Sequence, residues 1–430
     1  MSIATFQNSR HSERPLRIVN VAFDVGSDAL HWAMQPGDKM LAGECENESS
    51  EIRKTLDQIA GEARKHGDCE IRIICESTGV YHRRLLQIAQ RLDMRTNLVQ
   101  GEAVAKLRTV QFGDHGKTDK RDPQAALAVA TIGKLIKHRQ FDQQYAKLRE
   151  LHRLVLRCEA RIKVAKCELH SELRVLFADL RLDKNVLYGP TGAALIEAFS
   201  GNPHAIVAEG EEAFRKQIKI RSKHTKTATL KKIWKAAVSS LHGTDVDLEK
   251  TLAEIRSDEV TRLYAEITTF LQRRDALEQQ MQAIYLRLQA SDAKLPSPQK
   301  GVATLRMLSR LVAEIGPPSD FRTLRQLMRY AGLNLCERQS GKWRGRTTIS
   351  RRGRSELRYV LNLMSIPLVS RKNLFSEYYH RKKETEKMPG QKAFTCVMRK
   401  ILKMFFGWYQ SGKAFDRERV FQSLGACQAA

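Results

Sequence analysis

Five side chains in this sequence have the types and spacing to work on phosphate. Asp24 follows the apolar run LRIVNVAF, residues 16–23, and Glu76 follows EIRIIC, residues 70–75. Asp119 and Asp122 lie three apart in KTDKRDPQAALAVATIGKLI, residues 117–136. Ser340 stands near the start of QSGKWRGRTTISRRGRSELR, where Lys342, Arg344, Arg346, Arg351, Arg352 and Arg354 face one acid, Glu356. Carboxylates gathered in one place repel unless cations intervene, and hard ions such as Mg²⁺ take oxygen ligands of this kind. A serine hydroxyl attacks phosphorus when it is activated. Surrounding cations grip phosphates and screen developing anionic charge. A plainer reading stands beside each. Strand-end acids often just meet water. Asp122 before Pro123 suits a helix N-cap with Pro at the first helical position. A Ser-Gly pair suits a turn.

The elements that would position the acids are legible as alternating strands and helices. Residues 16–23 and 70–75 read as buried core strands, and residues 95–99 as a third. Residues 29–34 and 39–45 read as a meander beside the first. Residues 50–66 and 80–92 read as helices, and 117–136 as a third helical element that either includes Asp119 or starts at Asp122-Pro123 with Asp119 in the entering turn. Such alternation predicts an α/β domain with a mixed sheet. Asp24 and Glu76 would then share one sheet edge, where such folds build sites. A strand Asp, a strand Glu and two helix acids form the pattern of ribonuclease-H-like nucleases.

Two long seams follow. Leu148, Leu151, Val155, Cys158, Ile162, Ala165, Leu169 and Leu176 recur at steps of three and four, broken by Glu172. Val260, Leu263, Ile267, Phe270, Leu277, Met281, Ile284 and Leu288 do the same, broken by Arg274. Each spans about four heptads, enough to predict coiled-coil helices. They can pair within the chain or between chains, and the expectation is a dimer through at least one. Between them, about residues 185–247, a turn-rich start leads to the basic run FRKQIKIRSKHTKTATLKKIWK; a phosphate-contacting subdomain and a solvated insertion both fit it. The last third is expected to be mainly helical. Helices are predicted over 305–315 and 324–331, the second capped by Ser319 or Asp320, then a loop or hairpin around Ser340, then a helix over 355–367. The aromatic tail, residues 375–409, reads as helix with its rings in the core.

Composition narrows the partners. The formal net charge is +26, and residues 301–430 carry 26 basic against 9 acidic side chains. An excess so localised favours a polyanion such as nucleic acid. The eight cysteines form no C-x-x-C pair, which argues against a zinc ribbon and suits a reducing, cytoplasmic setting. No apolar run approaches a membrane span, and residues 1–15 read as a frayed arm.

In this order the parts resemble the DEDD insertion-sequence transposases of the IS-one-ten family, described as bridge-RNA-guided recombinases, and the related Piv-type DNA invertases. The resemblance rests on FDVGSDALHW, CESTGVYHRRL, KTDKRDPQAALAVA and AEIGPPSDFRTLRQLMRYAGLNLCERQSGKWRGRTTISRRGRSELRYVL, and on FSEYYHRKKETEKMPGQKAFTCVMRKILKMFF near the end. It spans residues 17–416 and departs at SPQKGVATL, where the family often has a Gly-rich turn, and at Pro123. It implies an RuvC-like domain over 16–140 holding Mg²⁺ on Asp24, Glu76, Asp119 and Asp122. Coiled coil would occupy 141–294, a transposase domain 295–416 with Ser340 as nucleophile, and a tail 417–430. It further implies element-end and target DNA as partners, a noncoding bridge RNA, and a homodimer or homotetramer, with no membrane. A Piv-like invertase or a metal-dependent junction endonuclease using water would need the acids. A noncatalytic nucleic-acid-binding scaffold would need only the basic third.

Overall fold

The computed structural model describes residues 17–76, 79–113, 118, 121–241, 246–337, 339–340, 343–345, 347–413 and 421. The expected arm at 1–15 lies outside them, as does the tail at 417–430 except Phe421. The chain divides into two compact units, Met1–Gln140 and Phe141–Ala430.

The first unit is a mixed sheet covered by helices. Its elements are β1 (Arg17–Val25), β2 (Ala29–Met34), β3 (Leu41–Glu46), α1 (Ser49–Arg64), β4 (Cys69–Glu76), α2 (His82–Arg91), β5 (Arg95–Val99), α3 (Gly101–Phe112), α4 (Asp122–Thr131) and β6 (Ile136–Lys137). The strand order is β3-β2-β1-β4-β5-β6. β1, β4 and β5 run parallel, while β2, β3 and β6 pair antiparallel to their neighbours. Alternation along the strands sorts the faces. Val19, Val21, Phe23, Ile71, Ile73 and Cys75 bury one face against α1 and α2. Ala22 and Ile74 turn the other way, onto Ala125, Ala126 and Val129 of α4. Three expectations change here. β1 runs on through Asp24 to Val25, because Val25 is itself a core residue. The helix within 117–136 starts at Asp122, one of the two expected starts, but stops early, at Thr131. α3 fills a segment for which no element was expected.

The second unit is built on two long helices. α5 (Gln143–Leu176) has 34 residues and opens at Asp142, whose side chain accepts from the backbone N–H of Gln144 and Tyr145. Five short helices follow: α6 (Lys184–Leu187), α7 (Pro190–Phe199), α8 (Pro203–Glu209), α9 (Glu211–Arg221) and α10 (Thr227–Ser240). α11 (Val246–Ser291), of 46 residues, returns along α5. Leu148 to Cys158 share a cluster with Leu277 to Leu288, and Ile162 to Leu176 with Ala253 to Ile267, so the pair is antiparallel. The seams expected to reach a second copy thus bury each other within one chain. Glu172 reaches Arg256 across the pair at 2.7 Å while Leu173 takes over the buried stripe. Arg274 turns to Asp275 at 2.7 Å.

The short helices are a correction to the solvated-insertion reading. They enclose their own core of Phe177, Leu195, Phe199, Ile206, Phe214, Ile218, Leu230 and Ile233.

The chain then forms α12 (Leu305–Ile315), α13 (Leu324–Tyr330), the short strands β7 (Leu335–Cys336), β8 (Gln339–Ser340), β9 (Trp343–Arg344) and β10 (Thr348–Ile349), and the helices α14 (Ser355–Ser370), α15 (Leu374–His380) and α16 (Gly390–Ser411). Thr323, rather than Ser319 or Asp320, caps α13 by accepting from the Gln326 N–H. The tail aromatics Phe405, Trp408 and Tyr409 are core, as expected. α12 carries Arg310, 2% exposed, between Glu159 of α5 (2.7 Å) and Glu278 of α11. Burial works against its charge, yet the two carboxylates raise its pKa. Among the described residues no helix is long and apolar enough to cross a membrane.

The seam is expected to dominate the stability of this pair. Leu169→Ala, at a fully buried position, should cost about 2–5 kcal/mol in urea unfolding. Val164→Ala, exposed on the same helix, should stay within about 0.5 kcal/mol. Equal costs would refute the packing described.

Candidate functional sites

The acids of the first unit come together by strand arithmetic. Phe23 and Cys75 are register partners in the parallel pair β1–β4. Asp24 and Glu76 are each one residue further on. Each also lies two residues beyond a member of the α4-facing cluster, Ala22 and Ile74. Both therefore belong to the same face and the same carboxyl edge. α4 packs on that face with Asp122 as its first residue. The structure thus brings Asp24 and Glu76 to one edge, and the helix that opens at Asp122 packs on the same face. Asp119 and Lys117 lie outside the described residues.

Asp122 is not the N-cap that Pro123 suggested. The capping position is Arg121 and makes no side-chain cap. Asp122 accepts instead from Arg108 of α3 at 2.7 Å, with both side chains largely buried. Glu76 has a different neighbour. Its carboxylate lies against Gly101, the first residue of α3, so closely that a methyl group there would overlap it. The start of a helix favours negative charge, and only glycine leaves this carboxylate its place. Across the antiparallel pair, Asp24 faces His31, which bonds to Glu44 at 3.3 Å. Sequence reasoning missed Gly101, Arg108 and His31. The first two were hidden because α3 was not foreseen, although GEAVAKLRTVQF is rich in helix formers. His31 was within FDVGSDALHW, and only strand pairing gives it a neighbour.

The donor set is all carboxylate at this edge, which fits a hard divalent cation. Among the described residues no three His, Cys, Asp or Glu side chains gather closely enough to hold one. Gly101 keeps open the volume that the Glu76 carboxylate occupies.

Ser340 lies in the second unit, on a hairpin of its own. β8 and β9 pair antiparallel, with Ser340 opposite Trp343. Gly341 and Lys342 lie outside the described residues, as does Arg346. At the hairpin's base β7 pairs with β10. Below that, the backbone of residues 330–334 clasps residues 350–354. Ser350 N donates to Asn334 O (2.9 Å), Arg351 N to Gly332 O (3.0 Å) and Arg354 N to Tyr330 O (2.8 Å). Gly353 packs so tightly on Gly332 and Tyr330 that a Cβ would strike their backbone. Arg351, held in this clasp, has φ of 54°, a left-handed conformation that costs a non-glycine residue energy.

The expected cations separate. Arg351 and Arg352 are exposed. Arg354 is a correction, because its Nε donates to Glu314 and its chief role is to anchor the clasp. Glu314, 1% exposed, also accepts from His152 Nδ1 of α5 at 2.7 Å. Arg149 donates to the Ala313 carbonyl (3.1 Å), the Glu314 carbonyl (2.7 Å) and the Tyr330 hydroxyl (2.8 Å). Burial pushes the Glu314 carboxyl up, but the His152 hydrogen bond and the Arg354 charge outweigh it and hold the group at about 2. This cluster was not visible in the sequence, since Glu314 and His152 sit inside otherwise apolar helical faces.

Comparison with known families fits both places. Residues 21–178 match a transposase model of the DEDD IS110 type, and residues 300–380 match the model described as Transposase IS116/IS110/IS902 family. The first match contains all four acids and the second contains Ser340. No curated protein matches the chain.

Two outcomes are expected. Gly101→Ala should weaken divalent-cation binding about tenfold or more, as changes behind a metal ligand do, read by calorimetric Mg²⁺ titration. Unchanged affinity would refute the role given to Gly101. Glu314→Gln should cost about 3–5 kcal/mol at neutral pH, by leaving buried charges unpaired. Glu314 is depressed from 4.5 to about 2. Its stabilisation is therefore complete above the unfolded carboxyl value and is lost as pH falls from about 4.5 towards about 2. That loss amounts to about 3 kcal/mol, so the variant's urea midpoint should be less acid-sensitive than the parent's over this window. Equal acid sensitivity would overturn the assignment.

Proposed function

The chain belongs to the IS110 family of insertion-sequence transposases, enzymes that cut and rejoin DNA, and we propose that it does so by attack of Ser340 on a phosphodiester. A new ester forms between Ser340 Oγ and phosphorus as the bond to one deoxyribose oxygen breaks. The hydroxyl proton leaves Ser340, and the departing oxygen gains one. The covalent phosphoserine conserves the bond energy, so a second DNA hydroxyl can reverse the step and complete strand exchange.

The observation that carries this reading is the placement of Ser340 at the end of β8, opposite Trp343 of β9 and braced from below by the clasp. A nucleophile on a small hairpin with a rigid base can reach a backbone that a flat surface cannot. Arg351 and Arg352 lie exposed at that base. With Lys342, Arg344 and Arg346 they would hold phosphates and screen the anionic transition state. Arg354 would act indirectly, by fixing the clasp.

The family uses a divalent metal, and Asp24, Glu76, Asp119 and Asp122 would hold it here, as Mg²⁺. When bound, Mg²⁺ supplies charge stabilisation on phosphate oxygens. Arg108 and Gly101 position two of the carboxylates. Guidance by a noncoding bridge RNA, and assembly of active sites from two or four copies, belong to the same proposal and rest on the family resemblance. The noncatalytic scaffold no longer applies.

The test is adduct formation on element-end DNA, resolved on denaturing gels. Ser340→Ala should lose the covalent species completely while still binding DNA. Asp24→Ala should lower strand cleavage by several orders of magnitude with binding retained. Cleavage without an adduct by Ser340→Ala would favour water as nucleophile and overturn the serine step.

A further inference from the structure

The five short helices α6–α10 are absorbed by neither site. From Ala213 to Lys235 the sequence carries nine Lys or Arg residues and no Asp or Glu. Folding sorts them. Phe214 and Ile218 of α9, and Leu230, Ile233 and Ala237 of α10, face the subdomain core. Lys216, Lys219, Lys223, Lys231, Lys232 and Lys235 are exposed. Among the described residues none of these six lysines pairs with a carboxylate. Arg215 and Arg221, by contrast, turn to Glu211 and Glu197.

The turn between the helices is built rather than loose. Ser222 and Thr225 are buried, and Thr225 Oγ1 donates to Ser222 Oγ at 2.8 Å. Thr225 is also bonded to Thr191 of α7 at 2.9 Å, and its backbone N–H reaches Ser222 O at 3.1 Å. Lys223 and His224 are thereby held outward. The subdomain carries its cations on one folded frame, so the backbone needs no further ordering when they meet a partner.

We propose that the exposed lysines of α9, α10 and their turn form a second DNA-binding surface, one that grips the sugar–phosphate backbone of duplex DNA without reading its sequence. Three observations select that partner. The surface is lysine, whose compact charges neutralise phosphates without demanding the planar, two-pronged geometry of arginine readout. Its large rings turn inward, because Phe214 is buried and the half-buried Trp234 packs on it with ring centroids 6.1 Å apart, which leaves only the small His224 imidazole outward among the described residues. Unpaired strands are held largely by stacking on such rings, so a duplex fits better. The family's substrate is DNA, which places duplex DNA at the enzyme during the reaction. The inference rests on that substrate and not on the Ser340 reading.

The experiment uses the full chain in a Ser340→Ala background, so no covalent link contributes to binding. The probe is a duplex DNA of unrelated sequence, followed by fluorescence anisotropy over a salt series. The fourfold change Lys219→Gln, Lys223→Gln, Lys231→Gln, Lys235→Gln should weaken binding at least tenfold at moderate salt. It should also flatten the slope of log affinity against log salt by about 0.9 for each phosphate no longer neutralised. The same four positions changed to Arg should restore both. Should the fourfold variant unfold, Lys223→Gln alone, on the braced turn, should flatten the slope by about 0.9. Unchanged affinity and slope would overturn the proposal, as would weakening confined to a duplex RNA probe. Because chemistry is silent here, failure leaves the adduct experiment untouched, and failure there leaves this one standing.

Discussion

A charged group sealed from water must find partners or lose its charge, and Glu314 shows how far that requirement reaches. Its carboxylate is almost wholly buried at the end of α12. Its partners come from α5, through His152, and from the start of α14, through Arg354. Removing any one leaves the others uncompensated in a low-dielectric interior. The carboxylate therefore forces three distant segments into a single arrangement. The clasp between residues 330–334 and 350–354 stands on that arrangement, and the hairpin bearing Ser340 stands on the clasp. Arg310 repeats the device a turn earlier, with the charges reversed.

The first unit obeys a simpler constraint. In a pleated strand a residue's face is fixed by parity alone. Ala22 and Ile74 are small and apolar enough to accept the alanine-rich side of α4. Two residues later on each strand, the same face runs out from under its cover and carries Asp24 and Glu76. A carboxylate pair at this edge thus follows from where the apolar packing stops.

Much of this was legible in the sequence because it depends on local pattern. The strands ending near Asp24 and Glu76, the seams of α5 and α11, and the helix Leu305–Ile315 all show in the spacing of apolar residues. What depended on pairing was not. Nothing in the seams says that their partner lies in the same chain. Asp122 before Pro123 satisfies every local rule for a cap, yet Arg108, 14 residues upstream, takes its side chain. Arg354 looks like one more cation in a basic stretch until Glu314 is found beneath it. Gly101 cannot be read as functional without knowing what its missing side chain leaves room for. The four acids and Ser340 follow one another in the order that the family resemblance implies. Asp119 and the two residues after Ser340 lie outside what the structure describes.

The antiparallel pairing of α5 and α11 makes the distance to the lysine-bearing subdomain adjustable. The subdomain is the connection at the far end of that pair, so the helices act as a boom with the subdomain at its tip. A matched block of seven residues added to both helices would keep the apolar seam in phase. It would move the tip outward by about 10 Å, roughly three base pairs of duplex. The length of the helical pair therefore sets how far the lysine-bearing tip stands from the helices α12–α16, with the packing at either end unaltered.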